Sequence, residues 1–140
     1  MLIEDNRADV FLMREALEVA EIAASVHVMN DGETAMTYID KLNADDSGRC
    51  PGLVLLDLNL PKISGIEVLE YLRRSRKCKH SLVVVVSSSD SIKDRAEAAS
   101  MGADAYFRKP SSYEAYLKIG EIAKDLLLMD QTAGPSGISC

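Results

Sequence analysis

The sequence predicts an α/β fold, a doubly wound five-stranded parallel sheet, on three observations. Short apolar runs alternate with amphipathic segments along the whole chain. The runs beginning at Leu53 and Leu82 are apolar on both faces, as central parallel strands are. At 140 residues, with 47% hydrophobic and 27% charged content, the chain makes one domain able to bury a sizeable core without metals or crosslinks.

The elements follow in order. Met1 to Ile3 is the first strand and Ala8 to Ala24 the first helix. That strand is short, because a strand usually has about five or six residues, which points to a trimmed start. Val26 to Asn30 forms the second strand, and Asp31 offers a side-chain oxygen to cap the helix Gly32 to Leu42. Asn43 to Gly52, NADDSGRCPG, is the longest internal loop, polar and rich in turn residues. Leu53 to Asp57 is the third strand, its extension stopped by Pro61, and Gly65 to Ser75 the third helix. Leu82 to Ser87 precedes the helix Ile92 to Met101, which Gly102 terminates. Ala105 to Phe107 and Ser112 to Met129 complete the set. Asp130 to Cys140 lacks periodicity and reads as a flexible tail, giving a domain at 1–129 and a tail at 130–140. Five strand-then-helix units joined by right-handed crossovers place helices on both faces of the sheet.

Charge and composition exclude several classes. With 22 acidic against 16 basic residues the net charge is -6, which opposes a non-specific hold on nucleic acid or anionic lipid. No apolar run approaches the roughly 20 residues of a membrane helix. The three cysteines, Cys50, Cys78 and Cys140, are odd in number, lack C-x-x-C spacing and follow no signal peptide. They read as reduced thiols of a soluble cytoplasmic protein, with no His or Cys at metal-ligand spacing.

Ligand sites of doubly wound sheets lie beyond the carboxyl ends of the strands. Glu4 and Asp5 end the first strand there, Asp57 the third, Ser87 the fourth, and Lys109 follows the fifth. Each alone is an ordinary cap or turn residue. Together they gather three acids, a hydroxyl and a lysine at one edge in a strand order of 2-1-3-4-5. Crowded carboxylates repel unless a cation joins them, and Mg2+ takes oxygen ligands of this kind. Lysine and hydroxyl would orient a phosphoryl group, for which one carboxylate is a covalent nucleophile.

These residues, with LLDLNLPKISGIEVL at Leu55 to Leu69, VVVVSSS at Val83 to Ser89 and GADAYFRKP at Gly102 to Pro110, resemble the receiver domain of two-component response regulators over about residues 1–127. DLNLP with ADVFLMREAL is most similar to stand-alone receivers that work with phytochrome-type histidine kinases. The resemblance implies the flavodoxin-like (βα)5 fold and a phosphoacceptor, Asp57, that takes a phosphoryl group from a histidine kinase phosphohistidine. It implies Mg2+ held by Asp5 and Asp57, by Glu4 through water and by the Asn59 carbonyl. Lys109 and Ser87 would contact phosphoryl oxygens, and Lys109-Pro110 would be a cis peptide. Ser87 and Tyr106 would form the switch of the face made by the fourth helix, fifth strand and fifth helix. Asn59 and Ser89 would tune the acyl phosphate lifetime. Ser87 stands where Thr is commoner in the family, and the Pro often found before the fourth strand is absent.

The last helix carries more apolar surface than one sheet face requires. Beside the stripe of Tyr113, Tyr116, Leu117, Gly120, Ala123 and Leu127 lies a second one of Ile119, Ile122 and Leu126. The arc spans roughly 240° at about 100° per residue. That surplus suggests a partner surface, such as a homodimer through the fifth helix, with cover by the tail as the plainer alternative. Two other functions compete. A haloacid dehalogenase-type phosphatase would have an acid two residues after its nucleophile, where this chain has Asn59. A receiver-like binding module without phosphorylation would not need the full set of site residues.

Overall fold

The computed structural model describes the backbone of residues 1–139 and side chains through Asp130. Its elements are β1 (Leu2–Ile3), α1 (Arg7–Val19), β2 (Val28–Met29), α2 (Gly32–Ala44), β3 (Leu53–Asp57), α3 (Gly65–Arg73), β4 (Leu82–Ser87), α4 (Ile92–Ser100), β5 (Ala105–Arg108), α5 (Tyr113–Tyr116) and α6 (Lys118–Ser139). The five strands form one parallel sheet in the order β2-β1-β3-β4-β5.

Strand alternation divides the core. Val83 and Val85 of β4 join Ile39, Leu69, Leu72 and Ala98 on one face. Val84 and Val86 join Met13, Ala16, Ile119 and Ala123 on the other. Full burial of such side chains contributes about 1.5–3 kcal/mol each, so β4 is anchored from both sides. Caps start the helices as the sequence suggests: the Thr34 amide donates to Asp31 Oδ1 at 2.7 Å, and Ser64 and Glu67 form a reciprocal capping box on α3. Arg73 is a second kind of tie. Its guanidinium donates to the carbonyls of Gly102, Lys79 and Ser81 and pairs with Asp104 at 3.1 Å, joining the end of α3 to the turn between α4 and β5.

Several expectations are corrected. The first helix stops at Val19 rather than Ala24, and Glu21 takes a left-handed φ of 59° that breaks the helical path. The fifth helix is two pieces, α5 and α6, interrupted at Leu117. The helical backbone of α6 runs on to Ser139. The side chains of 131–139, and Cys140, lie outside the described residues. Cys50 and Cys78 are joined by a disulfide with Cα atoms 5.3 Å apart, instead of standing as free thiols. Folding brings the loop before β3 beside the loop before β4, a proximity that a separation of 28 residues conceals.

The second apolar stripe of the last helix is not a free surface. Ile119 is completely buried, while Ile122 and Leu126 are half-buried against the same core. The reason is close helix packing. A Cβ on Gly120 would meet the Ala16 carbonyl oxygen at 2.2 Å, so α6 lies against α1 as well as the sheet, and two contacts need a wider apolar arc. No described helix is long and apolar enough to cross a membrane.

Candidate functional site

The parallel sheet delivers its polar residues to one edge. Glu4 and Asp5 follow β1 directly, Asp57 closes β3, Ser87 closes β4, and Lys109 follows β5. Glu4 and Ser87 are fully buried, Asp57 is 3% exposed, and Asp5 is open to solvent. One carboxylate oxygen from each of Glu4, Asp5 and Asp57 lies within 4.8 Å of the others. Gly65 shapes the floor of the site: a Cβ there would stand 2.2 Å from the Asp57 carbonyl oxygen, so only glycine lets α3 approach the strand end this closely.

Lys109 is the cation among these acids. Its Nζ lies 2.9 Å from Glu4 Oε1, 2.9 Å from Asp9 Oδ2 and 3.6 Å from Asp57 Oδ2. Burial opposes its charge, but Asp9 and Glu4 outweigh that and hold its pKa above the usual lysine value. The opposite balance acts on Glu4, where burial first and then neighbouring Asp57 push the pKa up to about 7 against the pull of Lys109. Glu4 Oε1 faces the Lys109 ammonium, while Glu4 Oε2 accepts from the Asn6 amide at 3.2 Å. Glu4, Asp5 and Asp57 crowded beside one shared ammonium leave an excess of negative charge, and a hard divalent cation with oxygen ligands would relieve it. The three acids therefore fit a cation of the Mg2+ type.

Around this centre the loops are tied by hydrogen bonds. The Asn59 amide donates to Asp57 Oδ1 at 3.1 Å, fixing the carboxylate's second oxygen, while the Asn59 residue itself is exposed. The Ser89 amide donates to Ser87 Oγ at 3.1 Å, and the Ser89 hydroxyl turns away to donate to Asp94. Tyr106 is half-buried; its hydroxyl donates to the Ser89 carbonyl at 2.8 Å, and the Arg95 guanidinium sits 4.5 Å from its ring centre. The Lys109-Pro110 bond is trans, as is every described peptide bond. That corrects the cis expectation and agrees with the general preference for trans even before proline.

Sequence reasoning missed three residues at this edge. Asp9 looks like an ordinary acid in the first turn of a helix, yet it binds Lys109, 100 residues away in the chain. Tyr116 reads as core, and it is buried, but its hydroxyl donates to Asp9 Oδ1 at 3.1 Å. Gly65 follows Ser64 as a plain helix start, and only the folded backbone shows its contact with Asp57.

Comparison with known proteins agrees with this geometry. The family model described as the response regulator receiver domain matches residues 1–121. The chain is 34% identical over 137 residues to a probable methanogenesis regulatory protein, FilR2, of Methanothrix harundinacea (strain 6Ac), spanning 97% of this chain and 88% of that one. Its structure is similar to that of the phosphorylated cyanobacterial phytochrome response regulator RcpA, with a TM-score of 0.79, 32% identity and 91% of each chain covered. It is also similar to the Mn2+-bound form of the response regulator Rcp1, with a TM-score of 0.78, 30% identity and coverage of 90% and 91%.

Proposed function

This chain belongs to the response regulator receiver family of two-component signalling, and on that premise we propose that Asp57 is its phosphoacceptor. The observation that carries the reading is the approach of Lys109 Nζ to within 3.6 Å of Asp57 Oδ2, beside three carboxylates gathered within 4.8 Å. A carboxylate oxygen of Asp57 attacks the phosphorus of a kinase phosphohistidine. The new O–P bond forms as the P–N bond breaks, and the leaving imidazole nitrogen keeps the electron pair. Lys109 and the Ser87 hydroxyl donate to phosphoryl oxygens as charge builds there. Asp5 and Asp57, with Glu4 through water and the Asn59 carbonyl, would hold Mg2+, which supplies positive charge to the phosphoryl oxygens when bound. The protein catalyses its own phosphorylation and dephosphorylation and does not act as a turnover enzyme.

The switch follows the hydrogen bonds already described. When Ser87 turns to the phosphoryl group, the Ser89 amide loses its acceptor, and the Ser89 carbonyl that holds Tyr106 shifts with it. That alters the face of α4, β5 and the last helices. Asn59 and Ser89 tune the lifetime of the acyl phosphate from either side. The likeness to RcpA supports a phytochrome-type histidine kinase as partner, with residues 1–129 as the signalling unit and output by protein contact. A cytoplasmic setting belongs to the same reading, and it rests on partnership with such a kinase rather than on free thiols.

Incubation with acetyl phosphate and Mg2+, followed by intact mass, tests this. Gain of one phosphoryl group that requires both Asp57 and the metal is the expected result; no gain would leave a phosphorylation-independent binding module.

A further inference from the structure

Lys109 Nζ is held at 2.9 Å by both Glu4 and Asp9, and Asp9 is a residue that the phosphoacceptor chemistry does not use. Asp9 Oδ2 accepts from Lys109 Nζ at 2.9 Å, while Asp9 Oδ1 accepts from the Tyr116 hydroxyl at 3.1 Å. One carboxylate is thus divided between the active lysine and α5, each oxygen with its own donor. We propose that Asp9 is a positioning residue: it holds the Lys109 ammonium away from Asp57 in the resting site and passes the departure of that ammonium to Tyr116. The inference rests on the phosphoacceptor reading of Asp57.

A phosphoryl group on Asp57 needs the ammonium, which must then leave one of the acids around it. Glu4 is a poor one to abandon, because its side chain is 0% exposed and a carboxylate left there has no water to turn to. The Asp9 side chain is 20% exposed, so its freed oxygen can be rehydrated at lower cost. Asp9 therefore releases Lys109 first.

The signal has a defined receiver. The Asp9 amide donates to Asn6 Oδ1 at 3.0 Å, which ties its backbone to the cap of α1. Tyr116 is buried and packs edge-to-face on Phe107 of β5, with ring centres 5.9 Å apart. With backbone and ring both held, loss of Lys109 from Asp9 must appear as a change in the carboxylate–phenol hydrogen bond. This path runs from the site to α1 and α5, separate from the one through Ser87, Ser89 and Tyr106.

The test uses the full chain labelled with 13Cζ-tyrosine, the Tyr116 resonance being assigned from Tyr116→Phe. Phosphorylation by acetyl phosphate and Mg2+ should shift the Tyr116 resonance in the wild type. In Asp9→Asn, brought to the same phosphorylated fraction as the wild type by intact mass, the Tyr116 shift should be lost while that of Tyr106 persists. Asp9→Ser serves as a second variant should the first not fold. A wild type that takes up no phosphoryl group would overturn the phosphoacceptor reading and this inference together. Uptake with an unmoved Tyr116 resonance, or with an equal shift in the Asp9 variants, would overturn the role of Asp9 alone.

Discussion

The two ends of the sheet are built on opposite principles. At the carboxyl end, Glu4 and Asp57 are buried beside Lys109, whose one ammonium they share with Asp9. At the amino end, the Cys50–Cys78 disulfide links the approaches to β3 and β4, and an apolar cavity of about 400 Å3 is lined by residues such as Leu2, Leu17, Val26 and Leu53. One end spends stability on reactivity, and the other contains the crosslink. The difference teaches that reaction and cohesion can be changed separately here, because the strands in between are anchored in both halves of the core.

Substitution at Asp57 should have the largest effect and leave cohesion intact. Asp57→Asn is expected to lose phosphoryl uptake entirely while its thermal unfolding stays cooperative, as intact mass and calorimetry would show. An unfolded variant would mean that Asp57 also holds the sheet together. Removing the disulfide makes the opposite cut. Closing a loop across 28 residues is worth about 3.5 kcal/mol in the chain-entropy account, so Cys50→Ser should lower stability to denaturant by about that amount. Its initial rate of phosphorylation should remain that of the parent, and a slowed rate would show that the two ends are coupled.

Gly65→Ala should blur the distinction. The new methyl group meets the Asp57 carbonyl oxygen at 2.2 Å, backbone that cannot swing aside. A stability loss of about 2–3 kcal/mol is expected, together with slower phosphoryl uptake, both measurable on one preparation. An unchanged rate would separate the position of α3 from that of the Asp57 carboxylate.

The most gradual effect is a dependence on pH. In the folded protein the Glu4 pKa is pushed up to about 7, from 4.5. Between those values the folded state binds more protons than the unfolded one, so stability falls as pH rises from 4.5 towards 7 and levels off above it. Chemical denaturation in EDTA should record that decline, and Glu4→Gln should flatten it. An unchanged slope in the variant would place the titration elsewhere.

How much could be read beforehand varied with the range of the signal. Leu53 to Asp57 and Leu82 to Ser87 are visible because both faces of those strands are apolar, and their ends then locate Asp57 and Ser87. Asp31 declares its cap within three residues. Ile119 misled because a helix packed on both the sheet and α1 has the same broad apolar arc as one awaiting a partner. Asp9 gave no warning, since its partners Lys109 and Tyr116 become neighbours only when α1, β5 and α5 are assembled. The disulfide was hidden for the same reason, two cysteines in separate loops meeting only where parallel strands begin side by side.

Arg73 has a mechanical consequence. By clasping the Gly102 carbonyl and Asp104, it pins the turn that follows α4 to the end of α3. The opposite end of α4 begins beside Ser89 and Tyr106, where the hydrogen bonds are those a phosphoryl group would rearrange. A rod fixed at one end and pushed at the other does not slide; it pivots. Movement of α4 should therefore be widest at Ile92, which is 87% exposed at the free end, and should fade towards Ser100, so that a small shift at the site becomes a swing of the surface most remote from the hinge.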